Sequence, residues 1–232
     1  MDTQLAHPGP AAPRLELDLI GDLICPWSFV GKRSLERALA SLYGAPVRVL
    51  RWHGLPRERS QQGSWSDYFA HRLPRGANAA VERERLEAQG RELGIDFAFD
   101  RLQDLPDTRE AHRLVSLAAR EGRQNEVIDA LFSAFLEHGR DLADPGVLAE
   151  VVNGCQLDER IVAAFADSTQ ASEEVAAEER RMRGLGIEVV PNVLINGRVL
   201  VPGPADVPTY VQALDQALFP ELKTPRSKRL LH

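Results

Sequence analysis

The 232-residue chain is predicted to be an α/β fold interrupted by an all-helical insertion. Strand patterns at the start, a strand hairpin near the end and a long intervening run of helical periodicity carry that expectation. With the helical run removed, the order strand, helix, strand, strand, strand, helix is that of one α/β unit.

From Leu15 to Ile24, LELDLIGDLI alternates apolar and polar residues at its start and reads as a strand. A helix follows, with Leu35, Ala38, Leu39 and Leu42 on one face and Gly44 near its end. VRVLRW, Val47 to Trp52, is a second strand, and one helix between the two suits a βαβ crossover. From about Ser60 to Arg183 apolar residues recur at helical spacing. In this block Thr108 and Asp144 are expected N-caps, Pro145 sits at N1, and Val127, Leu131 and Phe135 share one side. Further helices are predicted over Leu157 to Ala166 and Glu173 to Leu185. After Gly186, IEVVPNVLINGRVLVPG predicts a hairpin, with strands Val193 to Ile195 and Val199 to Val201 joined by Asn196-Gly197. The last helix, Asp206 to Leu218, has Val207, Val211, Leu214 and Leu218 on one stripe and Pro208 in its first turn. The expected units are a disordered leader (1–13), the α/β unit (14–59 and 184–219), the helical insertion (60–183) and a basic tail (220–232).

Composition removes several classes of function. The net charge is −6 and the 28 Lys and Arg are scattered, so no nucleic-acid groove is expected. The start MDTQLAHPGPAAPR lacks a positive segment followed by an apolar run, so no secretory signal is read there. No run of about 18 apolar residues predicts a membrane span. Two cysteines, Cys25 and Cys155, without an export signal predict a reducing, cytoplasmic setting rather than a disulfide framework. Six dispersed histidines offer no metal constellation.

The stretch DLICPWSFVGK, Asp22 to Lys32, places Cys25 where a strand gives way to a helix. There it meets unpaired backbone N–H groups and the positive end of the helix dipole, which favour thiolate over thiol. Pro26 fits the first helical turn, and Ser28 is expected to offer a hydroxyl donor to the sulfur. The alternative is that Cys25 is simply a small apolar residue at a strand end. A second piece is VVPN, Val189 to Asn192. A cis Val190–Pro191 bond would leave the Val190 backbone groups free to pair with an extended peptide, whereas a trans proline would only begin an edge strand.

DLICPWSFVGKRSLERAL (22–39), PDTREAHRL (106–114), GRDLADPGVLAEVV (139–152) and GIEVVPNVLINGRVLVPGP (186–204) together carry a likeness. The chain resembles the DsbA-like branch of the thioredoxin superfamily, within it the group of FrnE-like oxidoreductases and 2-hydroxychromene-2-carboxylate isomerases. The resemblance spans Leu15 to Leu218 and implies a thioredoxin fold with an inserted helical domain. It places the catalytic cysteine on Cys25 and the cis-proline on Pro191, and Asp107 stands where the family usually has an asparagine, ahead of Thr108 and His112. FrnE-like oxidoreductases typically read Cys-Pro-Trp-Cys, and the second thiol resolves a mixed disulfide; Ser28 cannot.

Three functions follow. The first is a single-cysteine thiol oxidoreductase acting on a disulfide-containing protein or small molecule, with glutathione as the resolving thiol. The second is a glutathione-dependent isomerase or transferase, similar to 2-hydroxychromene-2-carboxylate isomerase or kappa-class glutathione transferases. In that case Cys25 or Ser28 donates toward the bound thiolate, Pro26, Trp27, Val190, Asp107, Thr108 and His112 border the site, and Ala205 and Asp206 face the γ-glutamyl end. Asp206 reads equally as a plain N-cap. The third is a binding module with an apolar groove around Trp27, Phe29 and Pro191. Cys155 reads as a turn residue between helices, and His112 as packing or as a general acid–base. No metal, nucleic-acid or membrane partner is expected; a homodimer stays open.

Overall fold

A computed structural model describes residues 14–42, 47–56, 63–167 and 171–220. The leader, nearly all of the tail, the expected helix end at Gly44 and the start of the helical block at Ser60 lie outside the described residues.

β1 (Arg14–Gly21) is an inner strand of a four-stranded sheet of order β2-β1-β3-β4. It runs parallel to β2 (Val47–Gly54) and antiparallel to β3 (Asn192–Ile195), which pairs with β4 (Val199–Pro202). Its alternation sends Leu15, Leu17 and Leu19 into the core, each fully buried and contributing about 1.5–3 kcal/mol relative to exposure. The strand ends at Gly21, earlier than expected, because the Cys25 N–H turns back to the Asp22 carbonyl at 3.1 Å. Leu23 and Ile24 leave the sheet and enter the helical core. The β3–β4 turn is the Asn-Gly turn expected: Asn196 (φ 52°) and Gly197 (φ 63°) are both left-handed, and Arg198 N–H closes on the Ile195 carbonyl at 3.0 Å.

α1 (Pro26–Ala40) connects β1 and β2 and is buried on two sides. Leu35, Ala38 and Leu39 pack with the sheet and α9 (Val207–Leu218), whereas Phe29 and Val30 pack into the helical core. On α9 the buried stripe is Tyr210, Ala213, Leu214 and Ala217, with the expected Val207, Val211 and Leu218 only at its flanks. The opposite face of the sheet carries a polar cluster beside the buried Ile20. His53 Nε2 lies 2.8 Å from Asp18 Oδ1, its Nδ1 meets Glu178 of α8 (Ser172–Gly184), and Arg51 bridges Glu16 and Asp18.

Between β2 and β3 run α2 (Trp65–His71), α3 (Ala79–Leu93), α4 (Arg109–Ala119), α5 (Gln124–Phe132), α6 (Pro145–Gly154), α7 (Glu159–Ala166) and α8. α5 continues through a π-helical turn, Ser133–Glu137, and Val127, Leu131 and Phe135 are all buried as expected. Asp144 caps α6 by accepting from Gly146 N at 2.7 Å, with Pro145 in the first turn. α7 begins at Glu159 rather than Leu157, because Asp158 is the cap and accepts from Arg160 N at 2.8 Å. The fold is a thioredoxin-like α/β unit with a helical block between its second and third strands.

Candidate functional site

Cys25 is the N-cap residue of α1, in extended conformation, and Pro26 begins the helix. The Cys25 carbonyl accepts from Ser28 N at 3.0 Å and Phe29 N at 3.3 Å, while its side chain caps none of the first-turn N–H groups. The thiol is fully buried and packs with Ile20, Leu55, Met182 and Val190, with Trp27 and Ile187 beside them. The topology therefore brings together the Cys25 loop and the VVPN segment, which lie far apart in the sequence.

The Val190–Pro191 bond is cis. Pro191 packs its ring against α1, where a Cβ on Gly31 would lie 3.5 Å from Pro191 Cγ, and its carbonyl accepts from Gly203 N at 2.9 Å. The Val190 carbonyl is not free, contrary to the expectation from sequence. The guanidinium of Arg72, at the C-terminal end of α2, donates to it.

One turn before Arg72 on α2 stands Tyr68, whose phenol is within electrostatic reach of the Cys25 side chain. Burial, then the charge of Cys25, push the Tyr68 phenol well above its usual range, while Arg72 pulls the other way. The Arg72 guanidinium also lies 5.9 Å over the Tyr68 ring. These groups border a cleft of about 500 Å³ that includes Asp22, Leu55, Asp67, Tyr68, Arg72 and Val190.

Ser28 departs from the sequence expectation. Its hydroxyl is fully buried and has no hydrogen-bond partner among the described residues, so it does not donate to the sulfur. It faces the Gly21 side of α1, where a Cβ on Gly21 would lie 3.2 Å from its Oγ and 2.5 Å from the Trp52 ring. Trp27 stacks on Phe69 at 5.0 Å, at the edge of an aromatic array that continues through Trp65 and Phe99. Phe29 is a core residue stacked on Phe132, which removes it from the apolar groove expected with Trp27 and Pro191.

Asp22, in the cleft lining, is buried and accepts from the Thr108 hydroxyl at 3.3 Å. Thr108 thus does not cap α4 with its side chain; Asp107 Oδ1 accepts from Arg109 N instead, at 3.1 Å. His112 is buried as well. The Trp52 indole can only donate, so His112 Nδ1 accepts from it at 3.4 Å and Nε2 carries the proton toward Asp22 Oδ1 at 3.3 Å. Both ring nitrogens are engaged, and the ring stacks on Trp52 at 6.2 Å. Of the expected site residues only Val190 lines the cleft; Cys25, Pro26, Trp27, Ser28, Asp107, Thr108, His112, Pro191, Ala205 and Asp206 do not. Asp206 caps α9, accepting from Thr209 N at 3.0 Å, and hydrogen bonds from Thr209 hold its carboxyl below the usual range.

Cys155 lies at the C-terminal end of α6 as a free, buried thiol. Burial pushes it above the usual thiol range, and its carbonyl accepts from Arg123 at 2.9 Å. Among the described residues no group of His, Cys, Asp and Glu could hold a metal ion, and no helix is long and apolar enough to cross a membrane. Sequence reading did not find Tyr68 or Arg72. The local signal was only the cap of α2, in which Ser64 Oγ accepts from Asp67 N at 3.0 Å.

The family model described as a DSBA-like thioredoxin domain matches residues 16–215. Among solved structures, a protein from Streptomyces coelicolor described as a probable DsbA oxidoreductase is 27% identical, with a TM-score of 0.75 over 91% of this chain and 92% of that one. The cytosolic disulfide reductase DsbM from Pseudomonas aeruginosa, solved with GSH, is 22% identical with a TM-score of 0.59, over 89% and 97% of the two chains. A 2-hydroxychromene-2-carboxylate isomerase shares the fold at 15% identity, with a TM-score of 0.64 over 88% and 97%. No curated protein matches the chain.

Proposed function

The chain belongs to the DSBA-like thioredoxin domain family, and from that premise we propose that it is a thiol–disulfide oxidoreductase working with the single active-site thiol of Cys25. The observation that carries this reading is the position of Cys25, at the N-cap of α1 and packed against Val190, with Ser28 where a resolving cysteine would stand. In the first step the Cys25 thiolate attacks one sulfur of a disulfide. A new S–S bond forms, the old one breaks, and its electron pair leaves on the departing sulfur, which takes a proton from water. In the second step a glutathione thiolate attacks the substrate sulfur of the mixed disulfide, and the bond pair returns to Cys25 as thiolate. The net change is exchange of one disulfide for another, and no further oxidant is consumed.

The proposed site comprises Cys25, Pro26, Trp27, Val190 and Pro191, of which Val190 lines the cleft and Cys25 is buried against the lining residues Leu55 and Val190, with Thr108 and His112 supporting Asp22. Ser28 contributes by lacking a thiol. An extended peptide would have to displace Arg72 from the Val190 carbonyl, which favours a small disulfide such as a glutathione mixed disulfide over a long polypeptide. The S–S bond of such a substrate reaches Cys25 only when side chains over the buried thiol move aside. We further propose a reducing, cytoplasmic setting, and a thioredoxin-like unit formed by 14–59 and 184–219 around the insertion 60–183.

The test is turnover of a glutathionylated peptide by the full chain at varied glutathione. Turnover that needs glutathione and vanishes in Cys25→Ala supports the proposal. Full turnover by Cys25→Ala would sink it, and glutathione-dependent isomerase or transferase activity in that variant would favour the alternative in which the reacting sulfur belongs to bound glutathione.

A further inference from the structure

We propose that Tyr68 is a catalytic residue of this site, donating its phenolic proton in a hydrogen bond to the Cys25 sulfur and so stabilising the thiolate both before attack and when Cys25 leaves the mixed disulfide. The proposal rests on the reading of Cys25 as the reacting thiol. It deepens that reading by naming the side-chain donor that a single-cysteine site otherwise lacks.

Three observations converge on Tyr68. The first is its place beside the thiol: the Tyr68 ring lies under the Arg72 guanidinium, which donates to the carbonyl of Val190, and Val190 packs on Cys25, whose charge acts on the phenol. The second is the absence of competition. Ser28, the donor expected from sequence, has its hydroxyl turned away with no partner among the described residues, and the Cys25 side chain caps no helix N–H. The third is the placement of Tyr68 in the cleft lining beside Asp22, Leu55 and Val190, of which Leu55 and Val190 also pack against Cys25.

The chemistry is suited to the task. A phenol is a stronger donor than a serine hydroxyl, and hydrogen bonds to a charged acceptor are among the stronger ones. The groups that face Tyr68 keep it a donor. Burial, Cys25 and Asp22 all hold the proton on the phenol, and only Arg72 opposes them. No proton need be transferred in the exchange step. The electron pair arrives on Cys25 sulfur as the S–S bond breaks, and a donor fixed in the cleft would meet it there without reorganisation.

Tyr68→Phe isolates the hydroxyl, because the ring that lies under Arg72 is kept. The measurement is the pH profile of Cys25 alkylation by iodoacetamide, read on the Cys25 peptide by mass spectrometry. We expect the profile to move to higher pH by about one unit and the rate at pH 7 to fall about tenfold. A folded Tyr68→Phe protein with an unmoved profile would overturn the proposal. Should that variant not fold, Cys25→Ala supplies the reciprocal measurement, tyrosine ionisation followed by absorbance near 295 nm. Loss of the thiolate should let one tyrosine ionise at lower pH, and an unchanged titration overturns the proposal as well. Neither readout uses turnover. If Cys25→Ala keeps full exchange activity while these titrations shift, it is the proposed function that fails and the Tyr68–Cys25 pairing that stands.

Discussion

His112 Nε2 lies 3.3 Å from Asp22 Oδ1, and both side chains are buried. The same oxygen accepts from the Thr108 hydroxyl, so one carboxylate joins the loop that carries Cys25 to the first two turns of α4. Asp22→Ala would strand two buried donors. We expect it to cost about 1–3 kcal/mol in urea denaturation, and Thr108→Val, which removes one donor and leaves the other paired, to cost less. Equal midpoints for wild type and Asp22→Ala would show that the carboxylate does not join the two parts.

Lys32 Nζ is fully buried and lies 2.7 Å from Asp129 Oδ1 of α5, with Glu36 as its second partner. Burial pushes the Asp129 carboxyl up, against the pull of Lys32. Removing one member leaves the other charge poorly compensated in a partly buried setting, so Lys32→Met is expected to destabilise by about 3 kcal/mol. Arg33, 3.4 Å from Asp129, keeps the loss from being larger. The double variant Lys32→Met with Asp129→Leu should recover most of it. A double variant no more stable than the single one would show that the pair stabilises the fold rather than merely neutralising itself.

The strands, apart from the end of β1, and the Asp144 cap were legible in the sequence because each depends on neighbours within a few residues, whereas the Thr108 hydroxyl turns from its helix to the distant Asp22. LELDLIG alternates because one face of β1 meets the core, and Asn196-Gly197 supplies the two left-handed residues its turn needs. The Cys25 site was legible to the extent that a strand-to-helix junction is local. Its other half was not. Tyr68 and Arg72 reach Cys25 and Val190 from a seven-residue helix, so no pattern within that segment reveals what they touch. Ser28 was misread for a related reason. With α1 packed on two sides, a serine in its first turn can face the core as readily as the sulfur, and only the position of Trp52 and Gly21 decides.

Glu178 joins α8 to the polar face of the sheet through His53. Burial works against its ionisation, but the Arg181 hydrogen bond and the nearby His53 together hold its carboxyl below the usual range. A carboxyl lowered on folding adds stability above its unfolded value, about pH 4.3, and loses it as pH falls through the folded value. Glu178→Gln should therefore lower stability at pH 7 by up to about 1 kcal/mol, reduced by partial exposure, and the difference should close between about pH 5 and 3. Urea midpoints across that range test this; a gap that widens in acid contradicts it.

Ser28 separates the two sulfur chemistries. Its buried hydroxyl has no partner among the described residues, so Ser28→Ala removes a desolvated polar group and is expected to stabilise the fold by about 1 kcal/mol. Under the single-thiol proposal that variant keeps exchange activity, because Cys25 and Tyr68 are untouched; under a glutathione isomerase or transferase in which Ser28 donates to the bound thiolate, it loses turnover. Ser28→Cys asks the converse. It restores two thiols three residues apart across the first turn of α1, the spacing at which an internal attack can expel substrate. Release should then no longer require glutathione, and mass spectrometry should find a mixed disulfide on wild type but a 25–28 disulfide on the variant. A Ser28→Cys protein that stays as dependent on glutathione as wild type would mean that the side chain remains turned toward Gly21 and Trp52, out of reach of Cys25.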